Sequence, residues 1–235
     1  MPTSFNTLIN QISYEISDST WDNAFIGYWL NMAIRDYTKY FPLVKVQTIN
    51  CADDDQDYDL AADFLGILAV EYPAGGDPRQ FLNRLPITHP NFESSDSSYD
   101  IIEHADDSDP NELIISAVPS SGEDITITYN AHHALIANPA SPSGDCTVPV
   151  YHHNLLTLFV SWQNALALTN NEQQSPTSNS SLLMAQLAQN ARRAENAYHV
   201  ALQQTIYAAR GQSRAVSWIN GRTYNSNDDT LSRIY

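Results

Sequence analysis

The sequence predicts an α+β fold: a helical bundle built from both chain ends, an inserted antiparallel β unit (a sandwich or barrel), and an extended C-terminal arm. Three observations predict it. Apolar residues recur at three- and four-residue steps before residue 42 and again from 148 to 211, the period of helices. Between these stretches, short alternating runs are bounded by Asp, Ser, Pro and Gly, as strands and turns are. After Gly211 the sequence is polar, aperiodic and too short to bury a core. The expected division is therefore a helical body from 1–42 and 148–211, an inserted β domain at 43–147, and an arm at 212–235. With 235 residues, 43% of them apolar, the chain suits one large or two small domains.

Residues 3–16 read as a short amphipathic helix with Phe5, Leu8, Ile9, Ile12 and Ile16 on one face. Asp18, Ser19 and Thr20 supply a cap for a second helix over 21–41. Its expected buried face is Trp21, Ala24, Phe25, Tyr28, Trp29, Met32, Ala33 and Tyr37, with the aromatics in the core and at subunit contacts. Pro42 stops it. Residues 43–49 alternate as a strand, 53–59 form an acidic turn, and 66–72 form a strand ended by Pro73. Three further strands are expected at 99–103, 112–117 and 124–129, with long loops at 86–98 and 104–111.

Helix returns at 148–172, where Pro149 sits in the first turn and Leu155, Leu156, Phe159, Trp162, Gln163 and Leu166 make an apolar face. Residues 170–176 are the turn into the longest helix, capped within 177–181. That helix carries a seam, mostly alanine, at Leu187, Ala191, Ala194, Tyr198, Ala201, Thr205 and Ala208, which allows a neighbouring backbone to approach closely. Gly211 is its expected C-terminal stop, with Arg210 complementing the helix dipole. The arm beyond carries Trp218, Ile219, Tyr224, Leu231, Ile234 and Tyr235 among Arg214, Arg222 and Arg233. Trp, Tyr and Arg are the anchor residues of interfaces. The arm reads as a segment that orders on a partner, the alternative being one folded back on its own domain.

The formal charge is −16. Five basic residues face 24 acidic ones up to Ala191, while six arginines face three acids after it. An acidic body argues against ordinary nucleic-acid binding, which needs a basic face to displace counterions. A basic arm on an acidic body also suits head-to-tail assembly. The N-terminus lacks a basic and an apolar region, so no signal peptide is expected, and no apolar run approaches the ~18 residues of a membrane span. Cys51 and Cys146 lack metal spacing and fit a reduced protein; a disulfide is not implied.

Motifs of chemistry are few. Asp53, Asp55, Asp57 and Asp59 have the alternate spacing of a calcium loop, but Tyr58 stands where glycine belongs and Phe64 where the bidentate glutamate belongs. His132–His133 and His152–His153 cannot chelate as adjacent pairs; one of each with Cys146 is the conceivable zinc set, and structural or surface histidines are the preferred reading. No nucleophile elbow, P-loop or dinucleotide fingerprint appears. Neither catalysis, a metal nor a cofactor is expected.

The order of elements resembles the head-to-tail adaptor (connector, head-completion) proteins of tailed bacteriophages. The residues that carry the resemblance are Tyr40-Phe41-Pro42, Tyr58-Asp59-Leu60, Asp63-Phe64-Leu65 and Ile67 to Pro73, followed by a β unit and two helices ending in a basic arm. The large insertion, roughly 50–147, departs from the smallest adaptors. The resemblance implies a virion protein at the head-tail junction, a ring of twelve identical subunits beneath the portal protein. Its other side would receive a tail or neck protein, and the genome would pass an acidic lumen. The implied portal-docking residues are Arg210, Arg214, Trp218, Ile219, Arg222, Tyr224, Arg233, Ile234 and Tyr235. The alternative is a virion module whose β domain binds or hydrolyses a polymer such as a glycan, with Tyr58, Tyr72, Phe92, Tyr99 and Tyr129 as stacking residues.

Overall fold

A computed structural model describes residues 3–16, 22–104, 110–174 and 180–219, without the side chains of 174, 180 and 211–219. In chain order the elements are β1 (Thr3–Ser4), α1 (Phe5–Ile16), α2 (Asn23–Tyr40), β2 (Leu43–Asn50), β3 (Asp57–Asp59), β4 (Phe64–Glu71), β5 (Asn83–Arg84), β6 (Ser98–Ile102), β7 (Glu112–Ile115), β8 (Asp124–Ala131), β9 (Asp145–Cys146), a 3₁₀ turn (Val150–His152), α3 (His153–Gln174) and α4 (Ser180–Ile219). The chain divides into two compact units, Met1–Ala33 with Ile136–Tyr235, and Ile34–Leu135.

The first unit is helical and joins the two ends of the chain. β1 pairs antiparallel with β9, Thr3 opposite Cys146 and Ser4 opposite Asp145. The Ser4 hydroxyl then accepts the Thr7 N–H at 3.2 Å and caps α1. Phe5, Leu8, Ile9 and Ile12 of α1 are fully buried, as the apolar spacing predicts. On α2, Gly27 lets the segment after Ile136 come close: a Cβ there would stand 3.1 Å from the Pro139 Cβ. One turn on, Asn31 closes a two-way clasp, its amide donating to the Ile136 carbonyl at 2.9 Å and accepting the Ile136 N–H at 2.8 Å.

Two expectations about these helices change, and a third lies outside the described residues. The cap at residues 18–20 lies outside the described residues; Asp22 Oδ1 accepts the Phe25 N–H at 2.8 Å, next to the start of α2. The buried stripe of α2 is Ile26, Leu30, Ala33, Ile34 and Tyr37, while Phe25 and Tyr28 are exposed. Ala33 and Tyr37 of the expected face are buried, whereas the first half of the stripe falls on Ile26 and Leu30 in place of Phe25 and Tyr28. Helix α3 runs on to Gln174 through what reads as a turn, because Asn, Glu and Gln tolerate a helical interior.

α3 packs on α4 through an aromatic cluster. Tyr198 stacks on Trp162 with centroids 5.9 Å apart and meets Phe159 edge-on at 5.3 Å. Ala191 and Tyr198 of the α4 seam are buried, as is Leu202 beside it, and the small alanines of the seam leave room for the α3 rings. Ala208 of the expected seam is exposed. Gly211 does not end the helix: α4 continues to Ile219, so residues 212–219 are helical where an extended arm was expected.

The second unit holds two sheets, in the orders β2-β8-β4 and β3-β7-β6-β5. All pairs are antiparallel except β5–β6, which is parallel. Among the described residues no sheet closes into a barrel, one of the two forms the sequence left open. β8 alternates perfectly, with Ile125, Ile127, Tyr129 and Ala131 inward. These join Val70 of β4, Tyr58 of β3, Tyr99 of β6, and Leu113 and Ile115 of β7 in one core. Register shifts in β4 between Phe64 and Gly66 and between Ile67 and Ala69 leave Leu65 and Leu68 exposed. The acidic stretch 53–59 is a turn only at its start, because Asp57–Asp59 pairs with β7 as β3.

Candidate functional site

Helix α4 is the candidate. At ~1.5 Å per residue its 40 residues span ~60 Å, against ~33 Å for the 22 of α3, so it outruns its partner. The packing records the same limit: among the described side chains Leu202 is the last buried one, and Tyr207, Ala208, Ala209 and Arg210 are all exposed. The Thr205 hydroxyl turns back to the Ala201 carbonyl at 2.8 Å, so it satisfies itself within the helix.

Opposite the buried seam runs a second line of residues at three- and four-residue steps: Arg192, Asn196, Val200, Gln203, Tyr207 and Arg210, with Arg193 beside it. Every one is exposed; Val200 keeps 52% and Tyr207 70% of its surface. Positions 214 and 218 fall on the same line of the helix. The stripe contains three described arginines and no acidic residue, and no described carboxylate lies within ion-pair distance of them. Aliphatic, tyrosine and arginine side chains together are the chemistry of a protein-docking surface.

Of the residues implied for docking, Arg210 is on this stripe and exposed. Arg214, Trp218 and Ile219 lie on the helical continuation of α4, with side chains outside the described residues. Arg222, Tyr224, Arg233, Ile234 and Tyr235 lie outside the described residues altogether. Sequence reasoning missed Arg192, Arg193, Val200 and Tyr207. The signal was present in the heptad-like spacing opposite the alanine seam.

The other candidates are structural. The five aromatic residues named as a stacking platform, Tyr58, Tyr72, Phe92, Tyr99 and Tyr129, are all buried, none above 8% exposed. Burial pushes the hydroxyls of Tyr58, Tyr72, Tyr99 and Tyr129 upward in pKa. The Tyr58 hydroxyl donates to the Asp55 carbonyl, and that of Tyr72 to Glu123 at 2.5 Å. Rings held this way are core and offer no face to a sugar.

His133 and His153 are buried, each placing Nε2 on a backbone carbonyl: Phe41 at 2.9 Å and Val148 at 3.0 Å. A carbonyl only accepts, so that nitrogen carries the proton and is not available to a metal. His152 is held below its ordinary pKa by burial. Cys51 and Cys146 are free and buried, and burial pushes both thiols upward. Among the described residues no group of three or more His, Cys, Asp or Glu side chains is placed to hold a metal ion.

One polar cluster in the second unit is well built. Lys45 of β2 pairs with Asp63, whose other oxygen accepts the Tyr129 hydroxyl at 3.2 Å. The hydrogen bond to Asp63 raises the Lys45 pKa against the effect of burial. Burial alone would raise the Asp63 carboxyl; Lys45 and Tyr129 outweigh it and leave it below the usual range. A charge paired at the edge of a sheet orders the strand and leaves no group free for chemistry.

Comparison with known proteins agrees with an assembly role. A family model described as SU10 adaptor protein matches residues 3–217, which takes in both units and nearly all of α4. No curated protein matches the chain.

Proposed function

The chain belongs to the SU10 adaptor protein family, and from that premise we propose that it is the adaptor ring between portal and tail in a phage virion. The family makes it a bacteriophage structural adaptor, a virion component that works against other virion proteins. In the fuller reading, twelve copies form a ring beneath the portal. The helical body, 1–42 with 148–211, builds the ring. The far side of the ring receives a tail or neck protein. The segment 212–235 reaches the portal, and no catalysis is required of any part.

The observation that carries this reading is that α4 is exposed from Tyr207 to Arg210 and its backbone continues as helix to Ile219, into a stretch of the chain that from Arg210 onward carries four arginines and three aromatics. An acidic lumen suits passage of DNA, since like charge keeps phosphates from sticking to the wall. The test is portal binding by a chain ended at Arg210. The shortened protein is expected to keep its helical content and its β core and to lose portal binding. Undiminished binding would mean that the docking residues lie elsewhere.

A further inference from the structure

We propose that the outer stripe of α4, centred on Arg192 and Arg193, docks on the acidic β unit of a second copy of this chain and so joins copies head to tail. The proposal deepens the adaptor reading by naming the contact between copies, and it rests on that reading only for the premise that copies assemble.

The argument is one of charge left over. The unit Ile34–Leu135 has 19 acidic residues and five basic ones. Four of those bases are already committed within the unit: Lys39 to Asp36, Lys45 to Asp63, Arg79 to Glu71 and Arg84 to Asp100. Most of its described carboxylates therefore have no Lys or Arg partner among the described residues. The densest set is on and before β3, an edge strand of its sheet, where Asp53, Asp54, Asp55, Asp57 and Asp59 are all exposed and none has a described cation partner. The helical unit shows the converse. Before Ser180 its residues include five acids and no Lys or Arg, so its positive charge is confined to α4 and the residues after it. There Arg192 and Arg193 stand exposed, with Val200 on the same stripe to add apolar area.

Two unlike, complementary patches on one chain make a heterologous contact, which closes into a ring or runs on as a filament according to the rotation between copies. Complementary charge steers the encounter and fixes which faces meet. An acidic chain is a poor ligand for duplex DNA, so a protein carboxylate surface is the favoured occupant of the stripe.

The experiment is sedimentation of the full chain at about 0.1 M and about 1 M salt, where the screening length falls from ~10 Å to ~3 Å. It includes two variants, Arg192→Glu with Arg193→Glu, and Asp57→Lys with Asp59→Lys, each checked for native circular dichroism. The wild type is expected to self-associate at low salt and to weaken about tenfold or more at high salt. Each variant alone should be monomeric, and an equimolar mixture should associate again, because each supplies the charge the other lacks. Association indifferent to salt and to both variants overturns the contact. So does a chain monomeric under every condition, although portal docking would then stand. If the arginine variant instead loses a DNA mobility shift while still self-associating, the stripe serves nucleic acid. If copies associate as described but ignore the portal, the contact stands and the portal reading fails.

Discussion

Asn31 shows how much one side chain can hold. Its amide makes both hydrogen bonds to the backbone of Ile136, 105 residues away, and so pins the returning chain to α2 beside Gly27. Asn31→Ala strands a buried N–H and a buried carbonyl, at a cost of about 2–4 kcal/mol. All four tryptophans lie in the helical unit, so tryptophan fluorescence during urea unfolding reads this loss directly. Asp63 gives the second residue-scale prediction. Its carboxyl titrates below the usual range in the folded chain, so the unfolded chain binds the proton more readily. The stabilisation is complete above the unfolded value of about 3.9 and is lost as pH falls through the lower folded value. Asp63→Asn should flatten that acid limb, measured by far-ultraviolet dichroism. Neither role is legible in the sequence. Asn31 looks like a solvated helix residue, and nothing local shows that an asparagine will meet a backbone 105 residues away. Asp63 stands within one of the short runs that carry the family resemblance, but its partners Lys45 and Tyr129 become neighbours only when β2, β4 and β8 align.

Elements were legible where one period dominated. β8 and α1 came through because alternation and three-four spacing were unbroken. β3 did not, since Asp-Tyr-Asp has low strand propensity and is held by its pairing to β7 and by one buried tyrosine. The end of α4 misled for a different reason. A glycine costs a helix only about 1 kcal/mol relative to alanine, and Arg210, Gln212 and Arg214 on either side favour helix. Where helix flanks it on both sides, Gly211 sits inside and caps nothing. Gly211→Ala should therefore preserve or raise helical content and stability by about 0.5–1 kcal/mol, whereas a true left-handed cap would be destabilised by the same change. The portal-docking surface remains a proposal, and only its first residue, Arg210, has a described side chain. The sequence pointed to the arginines and aromatics after residue 210, and the fold adds that the same line of α4 begins at Arg192.

For the whole molecule, the organising feature is the separation of charge between an acidic bulk and a cationic last quarter. Before Ala191 the chain has 24 acids and five bases; after it, three acids and six arginines. A virion adaptor that works against other proteins can use that asymmetry, since complementary charge steers an encounter and fixes which faces meet. The buried aromatic rings of the β unit fit the same account, since they stabilise a core and leave ligand binding to other surfaces. The most direct test is native mass spectrometry of the full chain and of the chain ended at Arg210, each alone and each mixed with a purified portal ring. The account predicts that the full chain loads the portal in a fixed multiple, twelve copies in the fuller reading, and that the shortened chain leaves the portal bare. Equal loading by both chains, or a full chain that never joins the portal, would contradict it.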